Sequence, residues 1–411
     1  MANNLLCPCY RLEKMISFAS CLLDTIAACL AVPTVVFVIE ICAAFFLARR
    51  HQAPPMARRR GTVAVLIPAH DEAKGILATL NDIKPQLRPT DRLLVVADNC
   101  TDDTAAIAAS GGAEVTVRSD FTKIGKGYAL DWGLNHLAST PPDIVIMIDA
   151  DCSVTTGTID RLGSVCEQAQ RPVQSLYLMT APAGPKINHQ VAEFAWRVKN
   201  WVRPLGLSAL GLPCQLMGSG MAFPWKIIRS VDLSSGFIVE DLKLGLDLAS
   251  TGHAPIFCPS TVVTSAFPNS VDGAKAQRQR WEHGHLGLIS TKAPTLLYAA
   301  FKQRNLNLLV LALDLLVPPL SLFGLILTTA VAGMGTATIV GGASSYAFII
   351  SLTCLIATLG ATFIAWLNCG RDILPPSSFV LIAFHFAAKL RLYGAALAGH
   401  RISRWIRADR N

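Results

Sequence analysis

The sequence is short of charge. Asp, Glu, Lys and Arg make up 16% of its 411 residues, against about a quarter in an ordinary soluble protein. Hydrophobic residues reach 52% and the mean hydropathy is +0.43. This composition excludes a disordered chain and a simple soluble enzyme. Also missing is any Cys-x-x-Cys pair among the 12 cysteines. Several lie inside apolar runs, so reduced, buried thiols are expected and a secreted disulfide scaffold is excluded. Cys7-Pro8-Cys9 is open to acylation or metal binding as well as to being an ordinary membrane-proximal terminus. The basic surplus, 36 − 28 = +8, comes without interleaved stacking aromatics or a recognition motif, which argues against nucleic acid. No internal repeat is visible.

The charge that is present is clustered. Arg49, Arg50, Arg58, Arg59 and Arg60 come after an apolar stretch from about Thr25 to Ala48, broken only by Glu40. At ~1.5 Å per residue that stretch covers a ~30 Å hydrocarbon core. It is too long for a signal-peptide core and ends in arginines rather than a small-residue cleavage site, so an uncleaved anchor is expected. The arginines then place the next part of the chain on the cytosolic side of the plasma (cell inner) membrane. Glu40 is expected at a headgroup-level or helix-packing position. Two further apolar runs extend from about Leu306 to Met334, interrupted by Asp314 and Pro318-Pro319, and from about Tyr346 to Asn368. Asp314 beside the prolines is open to two readings, a broken helix lining a polymer path or a carboxylate paired with another helix. Ser377 to His400 carries His385, Lys389 and Arg391, and suits either an interfacial amphipathic helix or another span. The basic end, Arg401 to Arg407 with Trp405, suits anionic headgroups. The chain thus divides into an anchor with a basic linker (1–60), a cytosolic domain (61–300) and C-terminal transmembrane and interfacial helices (301–411), a multi-pass arrangement.

After Gly61 the pattern changes to short β-branched runs, each succeeded by turn residues and a helical stretch. Val63 to Ile67, Arg92 to Ala97, Glu114 to Arg118 and Asp143 to Ile148 read as strands, with helices over Ala73 to Ile83 and Thr104 to Ser110. This alternation predicts a mostly parallel α/β sheet. Beyond Thr155 the pattern is less regular through Phe267, then helical from about Gly273 to Ser290. In such sheets ligands bind beyond the carboxyl ends of strands, where Asp71, Asp98, Asp149 and Asp151 fall.

The carboxylates fall in a pattern that chemistry can use. Asp149-Ala150-Asp151 places two carboxylates at i and i+2 of an extended segment, projecting to one side. That suits a hard divalent cation completed by phosphate oxygens, Mg²⁺ or Mn²⁺; a helix cap or turn is the plain alternative. Asp98 ends a strand where a carboxylate can accept from a base or ribose. Lys123-Ile124-Gly125-Lys126-Gly127 allows close approach to phosphate, although it is not a Walker loop, and a solvated basic loop is the competing account. Glu240-Asp241 comes after the apolar Gly236-Phe237-Ile238. Gln277, Arg280 and Trp281 fall at i, i+3 and i+4 of a helix and share one face, able to meet hydroxyls, a diphosphate and a sugar ring, though Trp at this spacing also packs cores.

This ordered set resembles a family 2, GT-A-fold (nucleotide-diphospho-sugar transferase, Rossmann-like), membrane-bound inverting glycosyltransferase, the group that includes cellulose and hyaluronan synthases. The likeness covers about Val63 to Leu286: the Pro68-to-Glu72 opening, Asp98, the Asp149/Asp151 pair, Glu240-Asp241 and the QxxRW-type box from Gln277 to Trp281. Asp71 stands where an Asn is common, and Val239 where a Thr often opens the triplet. The resemblance implies that Asp71 and Asp98 contact the nucleotide, Asp149 the nucleotide sugar, and Asp151 a metal on the diphosphate. It makes Asp241 the base, Arg280 the stabiliser of the leaving diphosphate, and Gln277 and Trp281 the closure of the pocket. Lys126 and Glu240 fall with the substrate-binding set, and Gly218 to Ala222 resembles an acceptor-side loop. A nucleotide-sugar donor, by family habit a UDP-sugar, and a lipid-linked or polysaccharide acceptor are implied. Polymer-secreting relatives have more membrane helices, so an oligomer or export partner is expected if a polymer is exported. Two other classes compete: a membrane-anchored nucleotidyltransferase, which has no use for Glu240-Asp241 and the Gln277 box, and a transporter carrying a non-catalytic nucleotide-binding domain.

Overall fold

The computed structural model describes residues 8–47, 60–182, 184, 186–234, 239–341 and 344–378. The expectations for Cys7, for Arg49, Arg50, Arg58 and Arg59, for residues 379–400 and for the basic C-terminal stretch lie outside these residues. The chain opens with one long helix, α1 (Pro8–Phe46). The central domain begins with β1 (Val63–Ala69), α2 (Ile76–Ile83), β2 (Arg92–Asp98), α3 (Thr104–Ser110), β3 (Glu114–Arg118), α4 (Lys126–Leu137) and β4 (Ile144–Met147). It continues through β5 (Ser153–Val154), α5 (Thr158–Ala169), β6 (Val173–Thr180), α6 (Ile187–Arg197), a π-helical turn (Val198–Val202) and α7 (Arg203–Ala209). Then come β7 (Met221–Pro224), α8 (Trp225–Ile228), α9 (Glu240–Ser250), β8 (Ile256–Ala266) and α10 (Val271–Gln303). The last helices are α11 (Leu306–Leu315), α12 (Leu320–Gly341) and α13 (Ser345–Cys369).

The eight strands form one sheet in the order β3-β2-β1-β4-β7-β6-β8-β5. The first half, β3-β2-β1-β4, is parallel, and β7 enters antiparallel between β4 and β6. Alternate residues of β1 feed different cores: Val63, Val65 and Ile67 pack on one face, Ala64 and Leu66 on the other. Burial on both sides is why these strands read as unbroken apolar runs. From β1 the chain proceeds outward to β2 and β3, then returns to the opposite side of β1 as β4. The crevice at the carboxyl ends of β1, β2 and β4 is therefore the switch point where an open α/β sheet receives its ligand.

The irregular stretch expected between Thr155 and Phe267 is corrected: it contains β6, β7 and β8, three of the eight strands. β7 is found by its partner rather than by its neighbours, since Ile144 pairs with Pro224 across the sheet. Such a long-range antiparallel insertion interrupts the strand-helix rhythm that made the first half legible.

Three described helices are long and apolar enough to cross a membrane: Ile16–Phe46, Leu320–Gly341 and Ser345–Cys369. The interrupted run from Leu306 to Met334 is two helices, because Pro318-Pro319 lack the amide hydrogens that would continue α11. The short α11 packs with α9 and α10 instead. Phe194, Val198 and Val202 pack with Phe37 and Ile41 of α1, while Trp196 reaches the sheet core. The α6–α7 segment thus joins the apolar helices to the sheet. Contact between α7 and α1 is backbone-close: a methyl at Gly206 would overlap the Glu40 carbonyl oxygen. Beside it, buried Arg203 donates to Glu40 at 2.5 Å and to Asp314 at 2.5 Å. Glu40 is thereby a helix-packing residue, and of the two readings open for Asp314 the structure shows pairing.

Candidate active site

Asp98, Lys126, Asp149, Asp151, Gln277 and Arg280 line one cavity of about 440 Å³ at the switch point. Parallel pairing of β1 with β2 and β4, and of β2 with β3, aligns the loops carrying the first four, and α10 supplies the last two. Asp71 is not among the residues that line this cavity. Its backbone is left-handed, φ 54°, and its carboxylate turns away to accept from the Thr101 amide at 2.6 Å. It shapes the loop, while its neighbours His70 and Glu72 face the cavity.

Asp98 is buried and receives Arg118 Nη1 at 2.5 Å. Burial pushes its carboxyl upward, and Arg118 opposes that. Sequence reading missed Arg118; the signal is the register, which sets it directly opposite Asp98 on β3. Asp149 pairs with Lys126, and its amide donates to Ser219 Oγ at 3.1 Å. Lys126 Nζ also donates to the Gly218 carbonyl at 2.6 Å and lies 3.8 Å from Glu240. Burial works against the ammonium, but Asp149 and Glu240 outweigh it and hold Lys126 above its usual range. Gly218 and Gly220 take φ of +93° and +66°, a conformation that glycine adopts at no steric cost. A methyl at Gly218 would lie 3.3 Å from the Asp241 carboxylate.

Asp149, Asp151 and Cys152 bring one candidate ligand atom each within 4.8 Å of one another. Burial pushes the Cys152 thiol up to about 12, and the two carboxylates, hard oxygen donors, are the ones that fit a hard cation. Asp151 also accepts from Ser265 Oγ at 3.0 Å.

Glu240 and Asp241 begin α9, where the helix dipole favours anions. Burial nevertheless pushes Glu240 up to about 7, with Lys126 opposing. It also raises Asp241, against which Lys126 and Lys199 act. A carboxylate raised in this way is a better proton acceptor. Neither residue lines the cavity itself; both stand behind Lys126. The Arg280 guanidinium is on the cavity wall, and its Nε is buried without a hydrogen-bond partner among the described residues. Trp281 does not join it. Its ring packs on Trp196 with centroids 4.8 Å apart, in a second cavity that shares the Gln277 wall. The expected common face of α10 thus exists but is divided between two spaces.

The chain belongs to the glycosyltransferase-like family 2, whose profile matches residues 60–284. With that family come the GT-A α/β fold and the glycosyltransferase class, and the nucleotidyltransferase and transporter readings are set aside. An uncharacterized glycosyltransferase of Mycobacterium tuberculosis is 30% identical over 196 residues, 42% of this chain and 85% of that protein. A 4,4'-diaponeurosporenoate glycosyltransferase of Staphylococcus aureus is 34% identical over 115 residues, 27% of this chain and 30% of that protein. Among solved structures, a mannosyltransferase of Pyrobaculum calidifontis in complex with GDP-Man and Mn²⁺ aligns over 84% of this chain and 99% of its own, at 18% identity and TM-score 0.46. Glucosyl-3-phosphoglycerate synthase of M. tuberculosis with Mn²⁺, UDP and phosphoglyceric acid aligns over 56% and 78%, at 24% identity and TM-score 0.40.

Proposed function

We propose that this glycosyltransferase is a membrane-bound, inverting enzyme that moves a sugar from a UDP-sugar to a lipid-linked or polysaccharide acceptor at the cytosolic face. The observation that carries the reading is Arg280 on the wall of the cavity that also holds the Asp149–Asp151 pair, with its buried Nε left without a partner among the described residues. A buried guanidinium with an open donor is a ready partner for a phosphate oxygen. Asp98, with Arg118 behind it, contacts the nucleoside. Asp149 and Lys126 face the sugar and diphosphate, Glu240 tunes Lys126, and Asp151 holds Mg²⁺ or Mn²⁺. When bound, the metal neutralises charge on the diphosphate.

In the reaction the acceptor hydroxyl oxygen bonds to the anomeric carbon as the bond from that carbon to the diphosphate oxygen breaks. Asp241 takes the hydroxyl proton, and the departing diphosphate keeps the electron pair of the broken bond, its added charge met by Arg280. Preorganised charge at that oxygen lowers the barrier, and a positioned base contributes ~10²–10⁴-fold. Direct attack opposite the leaving group inverts the configuration. The three long apolar helices and the basic run after α1 support a multi-pass anchor around a cytosolic domain, with boundaries near residues 61 and 301. Asp241→Asn is expected to bind donor normally and lose transfer, measured with labelled nucleotide sugars and product sizing. Transfer at the wild-type rate would overturn the assignment.

A further inference from the structure

The second cavity, about 110 Å³, is a quarter the volume of the donor cavity and adjoins it at Gln277. It opens between the catalytic sheet and the apolar helices: Phe37 of α1 and Pro318 and Pro319 of the break before α12 form part of its wall. Yet cations gather there. Lys199 projects into it from the π-helical turn, an irregularity that recurs at functional sites. Its ammonium lies 5.7 Å from the Trp196 ring centroid and makes no ion pair among the described residues. Arg278 lines the same space and likewise has no ion pair among them. His189, also on the wall, is 7% exposed, and its Nδ1 is buried without a partner. The other charged groups on this wall do not cancel the excess. Arg203 is already engaged by Glu40 and Asp314, which leaves Glu282 as the one carboxylate among the lining residues. An apolar pocket with a surplus of cations and an unpartnered buried imidazole nitrogen suits an amphiphile with an anionic head.

We propose that this cavity seats the phosphodiester of a membrane-lipid acceptor, held by Lys199, Arg278 and His189, with its free hydroxyl reaching past Gln277 toward the donor cavity. The acceptor role rests on the glycosyltransferase reading above; the binding site does not. The small volume fits a headgroup rather than an oligosaccharide, and the wall from α1 and the Pro318-Pro319 break lets the acyl chains remain among the apolar helices. Sugar transfer keeps the balance already given: the hydroxyl proton passes to Asp241, the oxygen joins the anomeric carbon, and the diphosphate leaves. The phosphodiester stays intact throughout.

The test titrates full-length protein in neutral detergent with three probes: short-chain phosphatidylglycerol, the matching short-chain diacylglycerol, and water-soluble glycerol 3-phosphate. Phosphatidylglycerol is expected to bind at least about tenfold more tightly than either of the others, the worth of one charge-assisted contact. Lys199→Met abolishes the preference, whereas Lys199→Arg, which keeps the charge, retains it and excludes misfolding as the cause. Equal affinity for charged and neutral lipid overturns the proposal. So does glycerol 3-phosphate binding as tightly as the lipid, or a Lys199→Met protein that still discriminates. Asp241→Asn separates the two readings: it keeps the lipid preference whether or not Asp241 is the base, while unchanged transfer in that variant removes only the base.

Discussion

Arg203 offers a sharp test of how the apolar helices are held to the catalytic domain. Its guanidinium donates to Glu40 Oε2 at 2.5 Å, to Asp314 Oδ1 at 2.5 Å and to the Asp314 carbonyl at 3.0 Å. The three residues are 6%, 1% and 7% exposed, in the order Arg203, Glu40, Asp314. Replacement by Met keeps most of the packing volume but deletes the one cation shared by two carboxylates. Glu40 Oε1 already lacks a partner among the described residues. Removing one member of a buried ion set costs about 3–5 kcal/mol, because charge is left uncompensated. At roughly 2–4 °C per kcal/mol for a domain of 150–250 residues, the melting temperature should fall by ~6–20 °C. The assay is tryptophan-fluorescence melting of the full chain in nonionic detergent. The triple variant Glu40→Leu, Arg203→Met, Asp314→Leu should recover most of the loss, since an apolar replacement for a complete buried ion set is close to neutral. A single variant melting within about 2 °C of wild type, well inside that range, would refute the argument. A triple variant melting as low as the single would assign the loss to the Arg203 stem instead.

Other parts of the structure carry their own expected outcomes. Gly206→Ala should destabilise by about 1–3 kcal/mol, because the new methyl overlaps the α1 backbone at Glu40; an unchanged melting curve would mean that α1 and α7 are not in backbone contact. His285 is held neutral by burial, pushed down to about 4 from its usual 6.5, with Nε2 donating to the Leu315 carbonyl at 2.9 Å. The unfolded chain therefore takes up this proton first, so the stabilisation is present above pH 6.5 and is lost as pH falls from 6.5 to about 4. On the order of 3 kcal/mol is at stake. His285→Gln keeps a donor without titrating, and its acid-induced fall in melting temperature should be smaller than that of wild type. Chelation with EDTA should abolish sugar transfer, and Mn²⁺ or Mg²⁺ should restore it to wild type but not to Asp151→Ala; full activity after exhaustive chelation would remove the metal from the Asp149–Asp151 pair.

Much of the first half of the domain was legible because its physics is local. β1 to β4 are short apolar runs buried on both faces, and each ends in polar residues that the parallel register sets side by side. Asp98, Asp149 and Asp151 could be placed at strand ends from that rule. β6, β7 and β8 could not, because β7 owes its position to partners far away in sequence. Asp71 looked equivalent to the other carboxylates, but its left-handed backbone and the Thr101 amide turn it from the cavity. Trp281 shares a helical face with Gln277 and Arg280, yet Trp196 comes from another element and draws it to a different space.

Composition, periodicity and motif spacing are properties of neighbouring residues. The class of protein, the apolar helices and the stock of carboxylates and cations available for chemistry could therefore be read along the chain alone. Which of those charges meet was settled by the folded arrangement. Arg203 gained its role only where α1, α7 and α11 converge on it, and Lys199 became a candidate ligand because the fold sets it beside Trp196 without a direct ion pair among the described residues. Electrostatic energy depends on separation in space and on solvent exclusion, and neither is written in the order of residues.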